Sequence, residues 1–160
     1  MPVEGDIFER LKEDHDKHRA LLDRLGVTGR EARQRLFEEL TKELKAHAAA
    51  EEQALYSTML RKPPTTADTR HSVAEHHEIE EALNDLAATD MASDEWTEKF
   101  EKLAHRYRHH IDEEEEEMFP AAEDGLSKAE EARLAKVFET RKPKELERAE
   151  ANPPGSDERD

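Results

Sequence analysis

Cysteine is absent from this chain of 160 residues, and this absence removes several kinds of chemistry at once. Disulfides, thiolate nucleophiles and cysteine-ligated zinc or iron–sulfur sites are all excluded. Long apolar runs are missing too: none approaches the ~18 residues of a membrane-spanning helix, and the N-terminus lacks the apolar stretch of a signal peptide. We therefore expect a protein of the reducing cytoplasm.

Positive charge is also scarce. Lys and Arg number 25 against 41 Asp and Glu, which gives a formal net charge of −16. Phosphate backbones and anionic membrane surfaces are bound mainly through clustered Lys and Arg, so we expect neither nucleic acid nor a membrane as a partner. Hydrophobic residues make up only 34% of the chain, so they must be well placed for it to fold at all.

Gly and Pro total 12 residues, and they fall between long segments with helical periodicity. No segment shows the alternation of a strand. The pattern predicts helices over about 5–25, 28–61, 67–88, 93–120 and 127–142, the last one short. Capping boxes begin the first, second and fifth of these helices, at Asp6, Thr28 and Ser127. We expect one domain over residues 1–142, followed by a disordered acidic tail over 143–160.

The four long helices each carry a seam, meaning a line of positions spaced alternately three and four residues apart. Such seams predict an all-α fold, an antiparallel up-down four-helix bundle with a short fifth C-terminal helix. Each seam is apolar at its ends and polar in its middle. The polar members are His15 and His18 on the first helix, His47 and Glu51 on the second, His76 and Glu80 on the third, and His110 and Glu114 on the fourth.

The chain repeats its own pattern. The segment His47-Ala-Ala-Ala-Glu51-Glu52 matches His110-Ile-Asp-Glu-Glu114-Glu115, which lies 63 residues later, and Asp14-His15 matches Glu75-His76 at an offset of 61. The bundle is therefore predicted to consist of two related hairpins. Each hairpin supplies one histidine from its first helix and a His-x3-Glu pair from its second.

These residues point to a metal site. Positions i and i+4 lie on the same face of a helix, so both His-x3-Glu pairs can point into the bundle. Burying a carboxylate costs several kcal/mol unless it is paired or coordinated, and no Lys or Arg lies on the four seams. Imidazole and carboxylate together suit iron, manganese or zinc, and two metals bridged by carboxylates fit this number of ligands better than one.

The paired His-x3-Glu motifs, each preceded by a helix with a lone Asp/Glu-His, resemble the hemerythrin-like, HHE cation-binding domains. The resemblance covers about residues 5–142 and implies a non-haem di-iron centre. It implies that His15, His47, His76 and His110 are iron ligands and that Glu51 and Glu114 are the bridging carboxylates.

The chain departs from the oxygen carriers of this family at two places. Glu80 stands where their third helix has the second histidine of a His-x3-His pair, so either Glu80 or His18 completes the predicted site. The carriers also have His-x4-Asp on the fourth helix, whereas here Glu114 at i+4 is better placed than Glu115, which would need a local bulge to turn inward. Asp14 and Glu75 either orient imidazoles or face solvent.

We consider three kinds of function. The first is a di-iron protein that binds or reacts with O2, peroxide or nitric oxide, with sensing or detoxification favoured over simple carriage because a ligating Glu80 would favour ferric iron. The second is a non-enzymatic iron-sensing or iron-buffering module, and the third is a metal-free structural bundle. We expect a separate electron donor and slightly favour a monomer.

Overall fold

The computed structural model describes residues 6–151, and within them every regular element is helical. The helices are α1 (Ile7–Val27), α2 (Arg30–Glu51), α3 (Ser57–Met59), α4 (Pro63–Ala87), α5 (Asp94–Glu113), α6 (Phe119–Asp124) and α7 (Lys128–Ala151). Five-residue π-helical turns join α2 to α3 (Glu52–Tyr56) and α5 to α6 (Glu114–Met118). Four long helical segments form the predicted four-helix bundle: α1, α2 continued by α3, α4, and α5 continued by α6. Helix α7 is the fifth helix.

Side-chain caps define several helix starts as the sequence predicted. Asp6 accepts a hydrogen bond from the Glu9 backbone N–H at 2.8 Å, and Ser127 accepts one from the Glu130 N–H at 3.1 Å. The Glu130 side chain in turn accepts from the Ser127 N–H at 2.8 Å, which completes a capping box. Helices α1 and α7 therefore begin where local sequence satisfies their free N–H groups.

Two predicted boundaries were wrong. Thr28 does not cap α2: it is the C-cap of α1, and its hydroxyl bonds to the Arg24 carbonyl oxygen. Helix α4 begins at Pro63 rather than near residue 67, because proline in the first helical turn removes an N–H that has no intrahelical partner anyway.

The fifth helix is long, and the prediction that it ends near Pro143 was wrong. Helix α7 continues through Pro143 to Ala151, so residues 143–151 of the expected disordered tail are helical, and 152–160 lie outside the described residues. Pro143 is exposed, so the carbonyl that it leaves without an N–H partner is on the face that water reaches. Lys142 and Glu145 on either side are buried and bonded to the bundle, which holds this turn in place.

The apolar core is divided into two clusters by a polar layer. One cluster is built around Trp96, Phe100 and the leucines of α1, α2 and α4, and the other around Phe8, Tyr56, Phe119 and Phe138 near the opposite end. Seven of the eight polar seam residues are buried between these clusters, as the seams predicted, and Glu80 is the exception because it is partly exposed. Two apolar plugs therefore seal a buried polar centre from both ends.

Candidate metal centre

Two buried triads form the centre of the polar layer. His15 of α1 joins His47 and Glu51 of α2, and His76 of α4 joins His110 of α5 and Glu114, the first residue of the second π-helical turn. In each triad, one ligand atom from every residue lies within 4.8 Å of the others. The bundle thus brings together the six residues that the resemblance implied, one histidine and one His-x3-Glu pair from each hairpin.

The two glutamates lie between the triads. Glu51 Oε1 is 3.5 Å from His47 Nε2 and 3.4 Å from His76 Nε2, so it is near one imidazole of each triad. Glu114 behaves in the same way, with Oε1 3.1 Å from His15 Nε2 and Oε2 4.0 Å from His110 Nε2. This placement between two sets of imidazoles is what bridging carboxylates require.

Unpartnered polar atoms test whether a metal fits here. Among residues 6–151, no hydrogen bond reaches the buried Nε2 atoms of His15, His47 and His110, either oxygen of Glu51, or Oε1 of Glu114. Buried polar groups are almost always satisfied, and leaving several together costs ~1–3 kcal/mol each. Imidazole nitrogens and carboxylate oxygens that face one another are, once the imidazoles lose their extra protons, a donor set that suits iron, manganese or zinc.

Each of the four triad histidines is oriented by a carboxylate on a neighbouring helix. The Nδ1–H groups donate to these carboxylates at 2.7–2.9 Å and leave Nε2 turned toward the centre. The pairs are His15 with Glu115, His47 with Asp14, His76 with Glu52, and His110 with Glu75. Such partners fix the imidazole tautomer and raise its basicity as a metal ligand.

Two of these four carboxylates were predicted from the sequence as possible partners of imidazoles. Asp14 and Glu75 were expected to orient imidazoles or to face solvent; they do the former, but for the histidine of the adjacent helix rather than for their own neighbour in the chain. Glu52 and Glu115 were assigned no such role because they lie five residues after His47 and His110. The π-helical turns begin at Glu52 and Glu114, and their wider winding brings the Glu52 side chain to His76 and the Glu115 side chain to His15. The paired glutamates in each repeat were the available signal.

The carboxylates shift the pKa of two histidines upward. Burial alone lowers the pKa of His15, but Glu114 and Glu115 outweigh it and raise that pKa to about 9. Burial is likewise outweighed by Glu51 and Glu52 at His76, whose pKa rises to about 10. At Glu51, burial alone would raise the pKa, yet His47 and His76 hold it well below its ordinary value. The metal-free centre therefore holds protons on imidazoles where cations would bind.

Glu80 and His18, the two alternatives for completing the site, lie beside the triads, and Glu80 lines the same cavity as His47 and His76. Glu80 is partly exposed, with its Oε2 3.7 Å from Lys45 Nζ, and it belongs to neither triad. His18 is fully buried; its Nδ1 shares a hydrogen bond of 2.7 Å with the Tyr107 hydroxyl, and its Nε2 is 3.4 Å from Glu43 Oε1. Burial lowers the pKa of His18 to about 4 despite Glu43, so it is neutral at pH 7.

His18 forms a further group with Asp14 and His47 that has metal-ligand spacing. Its two ring nitrogens, however, already contact Tyr107 and Glu43. The structure thus places His18 beside the first triad rather than in it, and the assignment of His18 as a ligand stays a prediction.

Tyrosines border both sides of the centre. Tyr56 is buried, stacks on His76 with ring centroids 5.2 Å apart, and donates its hydroxyl to Glu114 Oε2. Burial and the charge of Glu114 raise the pKa of Tyr56 well above its ordinary value, so it remains a donor.

A cavity of about 390 Å³ between α2, α4 and α7 is lined by His47, His76 and Tyr107 and gives a small ligand room beside the triads.

Comparison with known proteins identifies the family. The family model of the Hemerythrin HHE cation binding domain matches residues 6–122, and the chain belongs to this family. A crystal structure of an HHE cation-binding domain-containing protein from Mycobacterium kansasii is similar, with a TM-score of 0.83, 25% identity, and coverage of 93% of this chain and 92% of that one. The fold is therefore a hemerythrin-type helical bundle that binds a metal cation.

A curated relative is much longer. The chain is 28% identical over 139 residues to a protein named DNA nickase from Nostoc sp., a match that covers 86% of this chain and 39% of the relative. The chain thus spans well under half of that protein's length. Within residues 6–151, none of the helices is both long and apolar enough to cross a membrane.

Proposed function

We propose that this chain is a non-haem di-iron protein that binds or reacts with O2, peroxide or nitric oxide, with sensing or detoxification favoured over simple O2 carriage. The observation that carries the proposal is the pair of buried triads with unpartnered Nε2 and carboxylate atoms turned toward each other. Iron bound there would supply reversible one-electron chemistry and an open position for a small ligand. His15, His47, His76 and His110 would hold it, with Glu51 and Glu114 between the two ions.

The composition of the ligand set favours reaction over carriage. Glu80 lies with Lys45 and His18 with Tyr107, so the triads offer four imidazoles and two carboxylates, fewer imidazoles than the oxygen carriers use. Every imidazole also donates to a carboxylate, which makes it a stronger electron donor. The stronger donation from these imidazoles would favour ferric over ferrous iron at the site.

This chain's own residues do three things for such chemistry. The two apolar clusters exclude water from both ends of the centre. Tyr56 holds one oxygen of Glu114 by a hydrogen bond, which limits how that carboxylate can turn. The cavity beside His47 and His76 is the space in which the small ligand would bind.

The test is metal analysis followed by reaction with oxygen. Aerobically purified protein is expected to contain about two irons per chain when fully loaded and to show the near-ultraviolet absorption of bridged ferric ions. The diferrous protein, mixed with air-saturated buffer in a stopped-flow instrument, is expected to oxidise rapidly. Glu81→Gln is the matched variant and is expected to leave the rate unchanged, because Glu81 is exposed and belongs neither to a triad nor to the lining of the cavity. Zinc alone at one per chain, or reversible O2 uptake for hours without oxidation, would refute the proposal.

The second candidate is an iron-sensing or iron-buffering module, which is favoured by the buried imidazole and carboxylate atoms that lack a hydrogen-bond partner. It predicts tight iron binding without turnover of peroxide or nitric oxide. We retain a cytoplasmic location, a separate electron donor and a monomer as expectations. The curated relative is named a DNA nickase, but the net charge of −16 on this chain disfavours binding to a phosphate backbone, so DNA is not proposed as a partner.

A further inference from the structure

The two halves of the candidate metal centre differ in the cations behind their carboxylates. In the half built on His15 and His47, the orienting carboxylates are Glu115 and Asp14. Arg19 lies against Glu115, with nitrogen–oxygen distances of 3.2 and 3.3 Å. Asp14 is contacted by two further cations. Three permanent positive charges therefore surround the carboxylates of this half.

The cations on Asp14 come from different helices. Arg10 of α1 donates to Asp14 Oδ1 at 2.7 Å. Lys142 of α7 donates to Oδ2 at 2.7 Å, on the same oxygen that accepts from His47 Nδ1. Lys142 Nζ is also 3.2 Å from Glu43 Oε1, and its side chain is only 7% exposed. The ammonium group is thus buried beside the hydrogen bond that orients His47.

The other half has a different surrounding. Glu75 accepts from His110 through Oε1, and its other oxygen, Oε2, lies 3.2 Å from Nε2 of the exposed His71. His71 precedes Glu75 by four residues, just as Arg10 precedes Asp14. His71 is 61% exposed and sits at the matching position of the repeat, 61 residues after Arg10. Glu52, which orients His76, is 40% exposed and screened by water. Lys45 and Arg148 line the cavity beside Glu52, so the clear difference between the halves is that Asp14 is paired with an arginine and a buried lysine, whereas Glu75 is paired with an exposed histidine.

Lys142 lies outside the part of the chain that matches the family model, residues 6–122. Lys142 and Glu145, on either side of the exposed Pro143, are both buried against the bundle, so the helical turn through Pro143 holds Lys142 in place. A positive charge held close to a metal ion favours the reduced form of that ion, because reduction lowers the ion's own positive charge.

We propose that Lys142 is a positioning residue that acts through Asp14 on His47, and that it makes the metal position of His15, His47 and Glu51 the one that accepts the first electron. This inference rests on the proposed di-iron function. The step is the one-electron reduction of a ferric ion to a ferrous ion by an external one-electron donor, and no covalent bond forms or breaks. The fifth helix thereby makes a nearly symmetric ligand set electronically unequal.

The experiment is an anaerobic spectroelectrochemical titration of the iron-loaded full chain, with mediator dyes and the ferric near-ultraviolet absorption as the signal. Wild type is expected to be reduced in two separated one-electron steps. Lys142→Met is expected to lower the potential of the first step more than that of the second. The ratio of the equilibrium constants of the two steps should change by at least threefold, which corresponds to about 28 mV because a tenfold change is 59 mV for one electron. Lys142→Arg keeps the charge and is expected to restore most of the separation.

Lys17→Met is the matched control. Lys17 Nζ also contacts Glu43, at 3.0 Å, but it is 51% exposed and makes no contact with Asp14, so both potentials are expected to stay unchanged. If Lys142→Met does not fold by circular dichroism, Lys142→Gln takes its place, because its amide can still donate to Asp14 without carrying charge.

The outcomes separate this inference from the function on which it rests. Wild type that takes up no iron refutes the proposed function. The role of Lys142 is refuted if wild type binds two irons but Lys142→Met leaves both reduction potentials unchanged. It is also refuted if Lys142→Met and Lys17→Met shift the two potentials by the same amounts. Either result leaves the di-iron function intact.

Discussion

Proton release on metal binding is the sharpest consequence of the charges in the centre. Imidazole must be neutral at the nitrogen that binds a metal, so a cation entering the triads must displace any proton there. The pKa values of His15 and His76, about 9 and about 10, keep both side chains protonated in the metal-free protein at pH 7. Glu51 carries no proton to release at that pH, because its pKa is held well below its ordinary value.

The expected magnitude follows from these values. At pH 7 a group with a pKa two units higher is ~99% protonated, and one three units higher is more so. Full loading with metal should therefore release about two protons per chain. The assay is anaerobic calorimetry of ferrous iron binding at pH 7 in two buffers of different ionisation enthalpy, since the difference in observed heat divided by the difference in buffer enthalpy gives the number of protons.

A matched variant shows which histidines supply the protons. His105 is exposed and belongs to neither triad, so His105→Gln is expected to release the same number as wild type. His76→Gln should release about one proton fewer and bind less metal. Fewer than one proton released by wild type at full loading would refute the reasoning, because it would mean that the carboxylates do not hold His15 and His76 in their charged forms.

Three other perturbations have defined outcomes. Glu115→Gln, which weakens the acceptor of His15, should reduce iron affinity by ~10–100-fold in a chelator competition assay, whereas the exposed neighbour Glu116→Gln should not change it; equal losses would mean that the π-helical turn does not direct Glu115 inward. The melting temperature of the metal-free protein should fall as the pH rises through 9 to 10, because the raised pKa values of His15 and His76 contribute stability that is complete below about pH 6.5 and lost above their folded values; a flat profile by circular dichroism from pH 7 to 10.5 would contradict this. Phe138→Ala in α7 should lower the free energy of unfolding by ~3–5 kcal/mol in urea titrations, since that ring is fully buried, while the exposed Glu139→Ala should cost much less; a small effect would show that α7 does not pack on the bundle.

Local patterns in the sequence were sufficient for the bundle and for eight polar seam residues, of which six form the two triads. Seam spacing placed His47 with Glu51 and His110 with Glu114 on inward faces, and the internal repeat paired the two hairpins. These features depend on positions within one or two helical turns, where backbone geometry relates sequence to direction. The same reasoning failed at Glu52 and Glu115, because an assumed α-helical register turns i+5 positions away, whereas the π-helical turns bring them to His76 and His15.

Which carboxylate serves which imidazole was decided only by tertiary structure. Asp14 precedes His15 in the chain, yet it accepts from His47 on the adjacent helix, because side chains on consecutive helical residues diverge by about 100° while neighbouring helices face each other. Lys142 is the clearest case. The four seams contain no Lys or Arg, and the sequence alone predicted that α7 ends at Pro143. The buried cation reaches Asp14 across 128 residues of chain because the helix continues past an exposed proline and packs along α2, a contact that no local pattern encodes.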